Sequence, residues 1–306
     1  MKHIKEADYN SKNTVVAFGC FDGLHKGHRK VLSALAENKE DDMTSVILSL
    51  DYSRSELAED PKVIYTEEEK AEIIEEGTAD VMVSLPLDKV VCAMEPEIFI
   101  KTILSGKLGA VKIIAGENLR FGKNQTGDIG ILEDLSGKYG YELVKCPVLE
   151  QDGCEITSEW IKKELGEGDL KTANELLGHP FTIYGEVVHG KALGRTVGMP
   201  TANLKAPDSK IMPNFGVYGT LSDIDSVTVK GLTNIGRRPS VDDFNYVTIE
   251  TFLLDFASDI YGQRIALELH AYIRGVVKFP NLEAVKAQVD KDLKVIRAEL
   301  EQVYIA

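Results

Sequence analysis

Through the first half of the chain, short apolar runs alternate with stretches of helical spacing. Thr14–Phe18 (TVVAF) is an apolar run that ends at Gly19. From about Gly27 to Asn38, Val31, Leu32, Leu35 and Ala36 recur along one helix face. Ser45–Leu50 reads as a second strand, and Glu67–Glu76 as a charged helix able to turn Ala71, Ile73 and Ile74 inward. Val81–Val83 is a third strand, Pro96–Leu104 a helix, Val111–Ala115 a fourth strand closed by Gly116, and Tyr141–Val144 a fifth. Short buried strands separated by helices predict an α/β, doubly wound, Rossmann-like parallel sheet. Ligands of such sheets sit beyond the carboxyl ends of the strands.

The pattern changes near residue 180. Two helical stretches, Ser158–Leu165 and Asp169–Leu177, lead to Gly178-His179-Pro180. Strand-like runs then follow with no helices between them: Thr182–Val188, Val217–Leu221, Val227–Asn234, Tyr246–Leu254 and Ile265–Ile273. Alternation is clear in Val247-Thr248-Ile249-Glu250-Thr251-Phe252, and glycines and prolines punctuate the gaps. The expectation is a small antiparallel β-barrel. A terminal helix over about Leu282–Val303 carries Val285, Val289, Leu293, Ile296 and Leu300 at helical spacing. The expected division is residues 1–165, a helical linker 166–180, and the barrel domain 181–306.

Composition narrows the class. A chain of 306 residues suits two cores better than one. No apolar run is long enough to span a membrane. The N-terminus, MKHIKEADYN, lacks the apolar stretch of a signal peptide, so a cytoplasmic location is expected. Cys20, Cys92, Cys146 and Cys154 form no CxxC pair, and free thiols are expected. The net charge of -14 argues against a nucleic-acid partner, and nothing points to a membrane partner. Anionic substrates would then need helix N-termini, a bound metal and a few placed cations to overcome repulsion.

The segment Gly19-Cys20-Phe21-Asp22-Gly23-Leu24-His25-Lys26-Gly27-His28 follows the first strand and opens the first helix. Free backbone N–H groups and the helix dipole favour phosphate there. Gly23 and Gly27 would let the backbone approach a polyphosphate closely. His25 and His28, three apart, share a face and can donate hydrogen bonds to charge building on phosphate oxygens. The plain alternative is a strand-to-helix turn with polar surface histidines. The segment resembles the GxFDxxHxGH pattern of nucleotidyltransferases with an HIGH-type motif, and within them the bacterial bifunctional riboflavin kinase/FAD synthetases. Ile114–Gly122, followed by Gly127-Asp128, resembles a second family segment. The resemblance implies that Gly19, Phe21, Asp22, Gly23, Gly27, Asn118, Arg120 and Gly122 lie at a nucleotide or flavin phosphate. Two departures stand out. The family's ISSTxIR is here Ile156-Thr157-Ser158-Glu159-Trp160-Ile161-Lys162, which leaves Ser158 and Lys162 as phosphate contacts and puts a carboxylate at Glu159. The family's T-F-x-P-H-P is replaced by Ser49-Leu50-Asp51-Tyr52-Ser53-Arg54.

The later half carries a more continuous pattern: Gly185–Gly190, then Gly194-Arg195-Thr196-Val197-Gly198-Met199-Pro200-Thr201-Ala202-Asn203-Leu204. Thr201 and Asn203 offer neutral oxygens suited to Mg2+ that is also held by ATP phosphates. Gly190, Gly194 and Gly198 permit backbone wrapping around phosphate, and Arg195 can contact phosphate or stabilise the loop. The plain alternative is an ordinary turn and hairpin. The run resembles the riboflavin kinase pattern G-x-V-x-x-G-x-x-x-GR-x-x-G-x-PTANL. Thr233–Ser240 with Asn234, and Thr248–Phe256, resemble two further family elements. Glu250 is the candidate general base, since a primary alcohol must lose its proton as it attacks the γ-phosphorus. Arg274 and Phe279 resemble a late family element and either shape a flavin pocket or close the barrel.

The resemblance implies a two-step enzyme with riboflavin, FMN/FAD and ATP/ADP as partners, Mg2+ as cofactor and ATP as co-substrate. The barrel would make FMN, and the first domain would transfer AMP to FMN with release of pyrophosphate. Two alternatives remain open at this point. One is a riboflavin kinase whose first domain is a weak or inactive nucleotide module. The other is a non-catalytic flavin-nucleotide sensor or store.

Overall fold

A computed structural model describes residues 1–5, 9–55, 61–189, 200–238 and 246–303. The chain divides into two compact units, Met1–Ser158 with Ser209–Ile211, and Glu159–Asp208 with Met212–Ala306.

The first unit is built on a six-stranded parallel sheet. Its strands are β1 (Lys2–Ile4), β2 (Thr14–Gly19), β3 (Thr44–Asp51), β4 (Val81–Pro86), β5 (Ala110–Gly116) and β6 (Glu142–Cys146), in the order β1-β4-β3-β2-β5-β6. The apolar runs bury both faces. Val16, Phe18, Val46, Leu48 and Val83 pack on one side, while Val15, Ala17, Ile47, Met82 and Ile114 pack on the other. That two-sided burial is why these strands read as continuous apolar runs. Helix α1 (Lys26–Glu37) buries Val31, Leu32 and Leu35 against the second face. Helix α2 (Glu67–Ile73) is fixed by a capping box between Thr66 and Glu69. Short helices α3 (Lys89–Cys92) and α4 (Pro96–Phe99) follow. Where one helix is expected over Pro96–Leu104, α4 passes into a π-helical segment, Ile100–Lys107, that buries Ile100, Ile103 and Leu104. Helix α5 (Ile129–Tyr139) is capped by Asp128. A hairpin of β7 (Glu150–Gln151) and β8 (Cys154–Glu155) closes the unit. β1 and this hairpin have no counterpart in the hydrophobic pattern, because each is only two or three residues long.

Helix α6 (Ser158–Glu167) spans the division at Ser158 and leads, with α7 (Leu170–Leu177), into the second unit. Its strands are β9 (Phe181–Val188), β10 (Thr201–Lys205), β11 (Gly216–Ile224), β12 (Val227–Arg238), β13 (Tyr246–Leu253) and β14 (Arg264–Gly275). They close into an antiparallel barrel in the order β10-β13-β12-β11-β14-β9. Side chains of one parity fill the interior, among them Ile183, Tyr218, Ile235, Ile249, Leu267 and Leu269. Three interior threonines satisfy one another: Thr220 and Thr233 share a 2.8 Å bond, and Thr233 donates to Thr251 at 2.9 Å. The other parity meets helix α8 (Leu282–Val303), where Val217, Leu221, Leu232 and Phe252 pack with Val289, Leu293, Ile296 and Leu300. Thr201–Asn203, for which an ordinary turn was the plain alternative, is strand: β10 pairs with β13 on one side and β9 on the other.

Candidate functional sites

The turn after β2 stands at the carboxyl end of a central strand, where open α/β sheets bind ligands. Its backbone is strained. Phe21 (φ 49°) and Leu24 (φ 47°) occupy the left-handed region, as does Gly23 (φ 86°). A non-glycine residue held there costs on the order of 1–3 kcal/mol and persists only where its surroundings enforce it. Three clamps do so. The Asp22 carboxylate accepts the N–H groups of Ile64 (2.7 Å) and Tyr65 (3.3 Å). The Ser158 hydroxyl donates to the Asp22 carbonyl at 2.8 Å. The Lys70 ammonium donates to the Cys20 carbonyl at 2.6 Å.

The strain delivers two histidines to one place. His25 caps α1, its Nδ1 accepting the His28 N–H at 3.4 Å. The two imidazoles stack with ring centroids 3.6 Å apart, and the Phe21 ring meets His28 edge-on at 5.4 Å. A Cβ on Gly27 would lie 3.1 Å from the His25 ring, so a side chain there would press on that ring and shift it. Burial lowers the His25 pKa to about 4, against the opposing pull of Asp22. Burial also lowers that of His28, helped by His25 and Lys70. Both rings are therefore neutral at pH 7. Nδ1 of His28 is buried and makes no hydrogen bond among the described residues. Such an atom calls for an explanation, and an incoming ligand oxygen meeting its N–H tautomer is one.

The remaining expected nucleotide contacts before residue 165 divide. Gly19 ends β2, paired with Ser49. Phe21 is 2% exposed and belongs to the core, and Asp22 is 6% exposed with its carboxylate committed to backbone. Their side chains brace the turn. Asn118 donates to the Glu155 carboxylate, which holds it at the end of β5. Arg120 is exposed and bonds the carbonyl of Leu119 at 3.0 Å. Gly122 has φ 70°, and Phe121, beside it, packs between Phe18 and Phe99. Ser158 reaches the Asp22 carbonyl, and Lys162 is half-buried on α6.

In the barrel, register assembles the candidate groups. Asn203 of β10 lies opposite Glu250 of β13, and Glu250 lies opposite Asn234 of β12. The same rung continues through Val217 to Arg274. Directly opposed residues point to the same face with Cβ atoms about 5 Å apart. Thr201, opposite Phe252, is two residues from Asn203 and shares that face. The rung thus has the outward parity that α8 partly covers. Thr201, Asn203, Asn234 and Glu250 are all half-buried, accessible to a ligand yet not fully solvated. Arg274 turns toward α8, donating to Asp292 through Nε (2.9 Å) and Nη2 (2.8 Å), with its guanidinium 5.6 Å from the Phe279 ring. Asp292 is 2% exposed and takes a further bond from Gln288. Arg274 therefore clamps the terminal helix to the barrel beside the rung, with Phe279 packed on its guanidinium. Gly190, Gly194, Arg195 and Gly198 lie outside the described residues.

Sequence reasoning missed Lys70 and Glu67. Their helix reads as charged, with Ala71, Ile73 and Ile74 available to face inward. Those three do pack on the core, yet Glu67, Glu69 and Lys70 are buried more deeply than Ala71 or Ile73. Buried charges follow no periodicity. The Thr66-x-x-Glu69 spacing was the visible signal, since a capping box commits Glu69 to the helix start.

A family model described as Flavokinase, riboflavin kinase, matches residues 177–300. One described as FAD synthetase matches residues 7–160. The bifunctional riboflavin kinase/FMN adenylyltransferase of Escherichia coli (strain K12) is 32% identical over 283 residues, covering 91% of this chain and 90% of its own length. That of Bacillus subtilis (strain 168) is 33% identical over 297 residues, covering 94% and 92%. A crystal structure described as a macrolide-efflux protein from Streptococcus pneumoniae superposes with a TM-score of 0.83 at 28% identity, covering 96% of this chain and 98% of its own. Among the described residues of the present chain, no helix is long and apolar enough to cross a membrane.

Proposed function

Because the chain belongs to the family of bifunctional riboflavin kinase/FMN adenylyltransferases, we propose a division of labour between its two units and the residues that carry it. The barrel converts riboflavin and ATP to FMN and ADP. The parallel-sheet unit joins FMN to the adenylyl group of a second ATP, giving FAD and pyrophosphate.

The observation that carries the kinase assignment is the shared rung of Asn203, Glu250 and Asn234. Glu250 takes the proton of riboflavin's primary hydroxyl as that oxygen attacks the γ-phosphorus and ADP leaves. Asn234 orients the reacting groups from the neighbouring strand. The donor set also fits Mg2+. Thr201 and Asn203 bring neutral oxygens, and the described residues contain no cluster of three or more His, Cys, Asp or Glu able to cage a metal alone. A cation that arrives with phosphate and water ligands suits such a site, where it would neutralise phosphate charge. Residues 190–199, with Gly190, Gly194, Arg195 and Gly198, supply the phosphate-binding backbone of this proposal.

In the first unit, a phosphate oxygen of FMN attacks the α-phosphorus of ATP and pyrophosphate leaves, with no covalent enzyme intermediate. The neutral imidazoles of His25 and His28 donate to the oxygens on which charge builds, and the N–H groups opening α1 hold the phosphates. Gly23 and Gly27 let the backbone close on them, and Asn118, Arg120, Gly122 and Ser158 line the approach. We place the reaction in the cytoplasm, in keeping with four free cysteines, and without a nucleic-acid partner, in keeping with the net charge of -14.

A chromatographic time course from riboflavin and MgATP tests the whole reading. FMN should rise first and FAD follow. FMN without FAD would reduce the protein to a kinase, and unchanged riboflavin would sink both assignments.

A further inference from the structure

Lys70 is a buried ammonium that the chemistry above leaves unused. It is 2% exposed, and each of its contacts is short or directed. It pairs with Glu67 at 2.6 Å, donates to the Cys20 carbonyl at 2.6 Å and reaches the Ser49 hydroxyl at 3.3 Å. Glu67 is itself held from behind: its other oxygen accepts the Ser84 hydroxyl at 2.7 Å, and Ser84 meets the His3 ring at 2.9 Å. Burying an ammonium and a carboxylate costs several kcal/mol per ion before their attraction is counted, so a chain without need of the charge gains nothing from this arrangement over apolar packing. Desolvation alone would lower the Lys70 pKa, yet Glu67 and then Asp22 outweigh it and raise it, so the group stays charged.

What Lys70 grips decides its role. Of the three clamps described above, the Asp22 and Ser158 bonds act at residue 22, and the Lys70 bond acts at the root of the turn, on the Cys20 carbonyl. A trans peptide directs its N–H opposite to its C=O. Holding the Cys20 carbonyl against Lys70 therefore turns the Phe21 N–H away from it and sets the plane from which the left-handed Phe21 departs. His28 stands over Phe21, and the Lys70 charge is felt at that ring.

We infer that Lys70 is a positioning residue for adenylyl transfer, fixing the Cys20–Phe21 peptide so that the His25–His28 pair meets the reacting phosphate in register. The inference rests on the adenylyltransferase reading of the first unit. A misplacement of about 1 Å at a reacting centre can cost on the order of 100-fold in rate. The loss belongs in kcat, because the bulk of the nucleotide contacts are untouched.

The full-length protein with Lys70→Met and Lys70→Arg tests it, with FMN adenylylation and riboflavin phosphorylation measured on the same preparations. For Lys70→Met the expected result is a fall of about 100-fold in kcat for FAD formation. KM for ATP and FMN should stay within about threefold and the kinase rate should not change. Lys70→Arg, which restores a charged donor, should recover at least about tenfold of that kcat. A Lys70→Met enzyme with wild-type kcat, or one changed only in KM, overturns the inference. Should Lys70→Met lose its near-ultraviolet circular dichroism, Lys70→Gln decides: it keeps an N–H donor, and a kcat between those of the wild type and a His28→Ala enzyme supports positioning, whereas a kcat equal to wild type overturns it. A wild-type protein that forms no FAD fails earlier and separately, since it removes the adenylyltransferase reading before any variant is made.

Discussion

The two units position their chemistry by opposite means. In the first, the side chains proposed to react sit on a short strained turn, and buried charges from α2 and from around Asp22 hold that turn in shape. In the second, they sit on adjacent strands of a closed barrel, and hydrogen-bonded register alone sets Asn203, Glu250 and Asn234 side by side. A turn can be re-aimed by one lost clamp. A rung cannot, because moving one residue would mean slipping a whole strand and turning its apolar face outward. The first design gives close control of a few backbone N–H groups. The second gives side chains whose placement tolerates substitution of any one of them.

That contrast makes Glu250→Gln the sharpest test. The ladder survives the change, so the barrel should fold and bind riboflavin while the kinase kcat falls about 1,000-fold, as removal of a general base does. FAD formation from supplied FMN should be unaffected. Undiminished turnover removes Glu250 from its role, and a collapse of the barrel would break the claim that register is robust.

Acid should tell the units apart next. His25 is neutral when folded, with a pKa of about 4 against 6.5 when unfolded. The unfolded chain then binds the proton more tightly, so stability at this residue is complete above about pH 6.5 and is lost as pH falls toward 4. The loss is on the order of 3 kcal/mol. Urea midpoints measured between pH 7 and pH 4 should fall more steeply for the wild type than for a His25→Asn variant. Parallel curves would place the histidine in solvent.

His28→Ala should lower kcat for FAD formation about 100-fold, the usual cost of removing one donor to developing charge, with the kinase unchanged. An equal loss in both activities would mean the two reactions are not separately housed. The smallest effect is expected from Asp292→Asn, which leaves Arg274 without its carboxylate. The barrel should lose about 2 kcal/mol in urea unfolding. If KM for riboflavin rises as well, the Arg274–Phe279 pair shapes the flavin site in addition to holding α8.

Much of this was legible in the sequence, and the reasons differ by region. Strands such as Thr14–Gly19 and Thr44–Asp51 are buried on both faces and announce themselves as apolar runs. In α8 the spacing of Val289, Leu293, Ile296 and Leu300 matches the face it buries. Gly27 and the two histidines were readable because a helix start imposes rules on few positions. β10 was not, because Thr201–Lys205 carries one buried side chain, Leu204, in five residues. Nor could any pattern show that Asn203 would face Glu250, since pairing depends on closure of the whole barrel. Lys70 escaped because charge patterning assumes water on the outside, and here the charges turn inward toward the turn they support.

The first unit is also discontinuous. Three residues from far along the chain, Ser209–Ile211, are part of it: Val63 bridges Lys210, and the Lys210 ammonium, fully enclosed, bonds Glu69 at 3.1 Å and the Ile64 carbonyl at 2.8 Å beneath the Tyr65 ring. No single scission therefore releases an intact adenylyltransferase half. A polypeptide ended at Ser158 would deprive the buried Glu69 carboxylate of the Lys210 ammonium. It would also loosen Ile64 and Tyr65, the very amides that Asp22 holds.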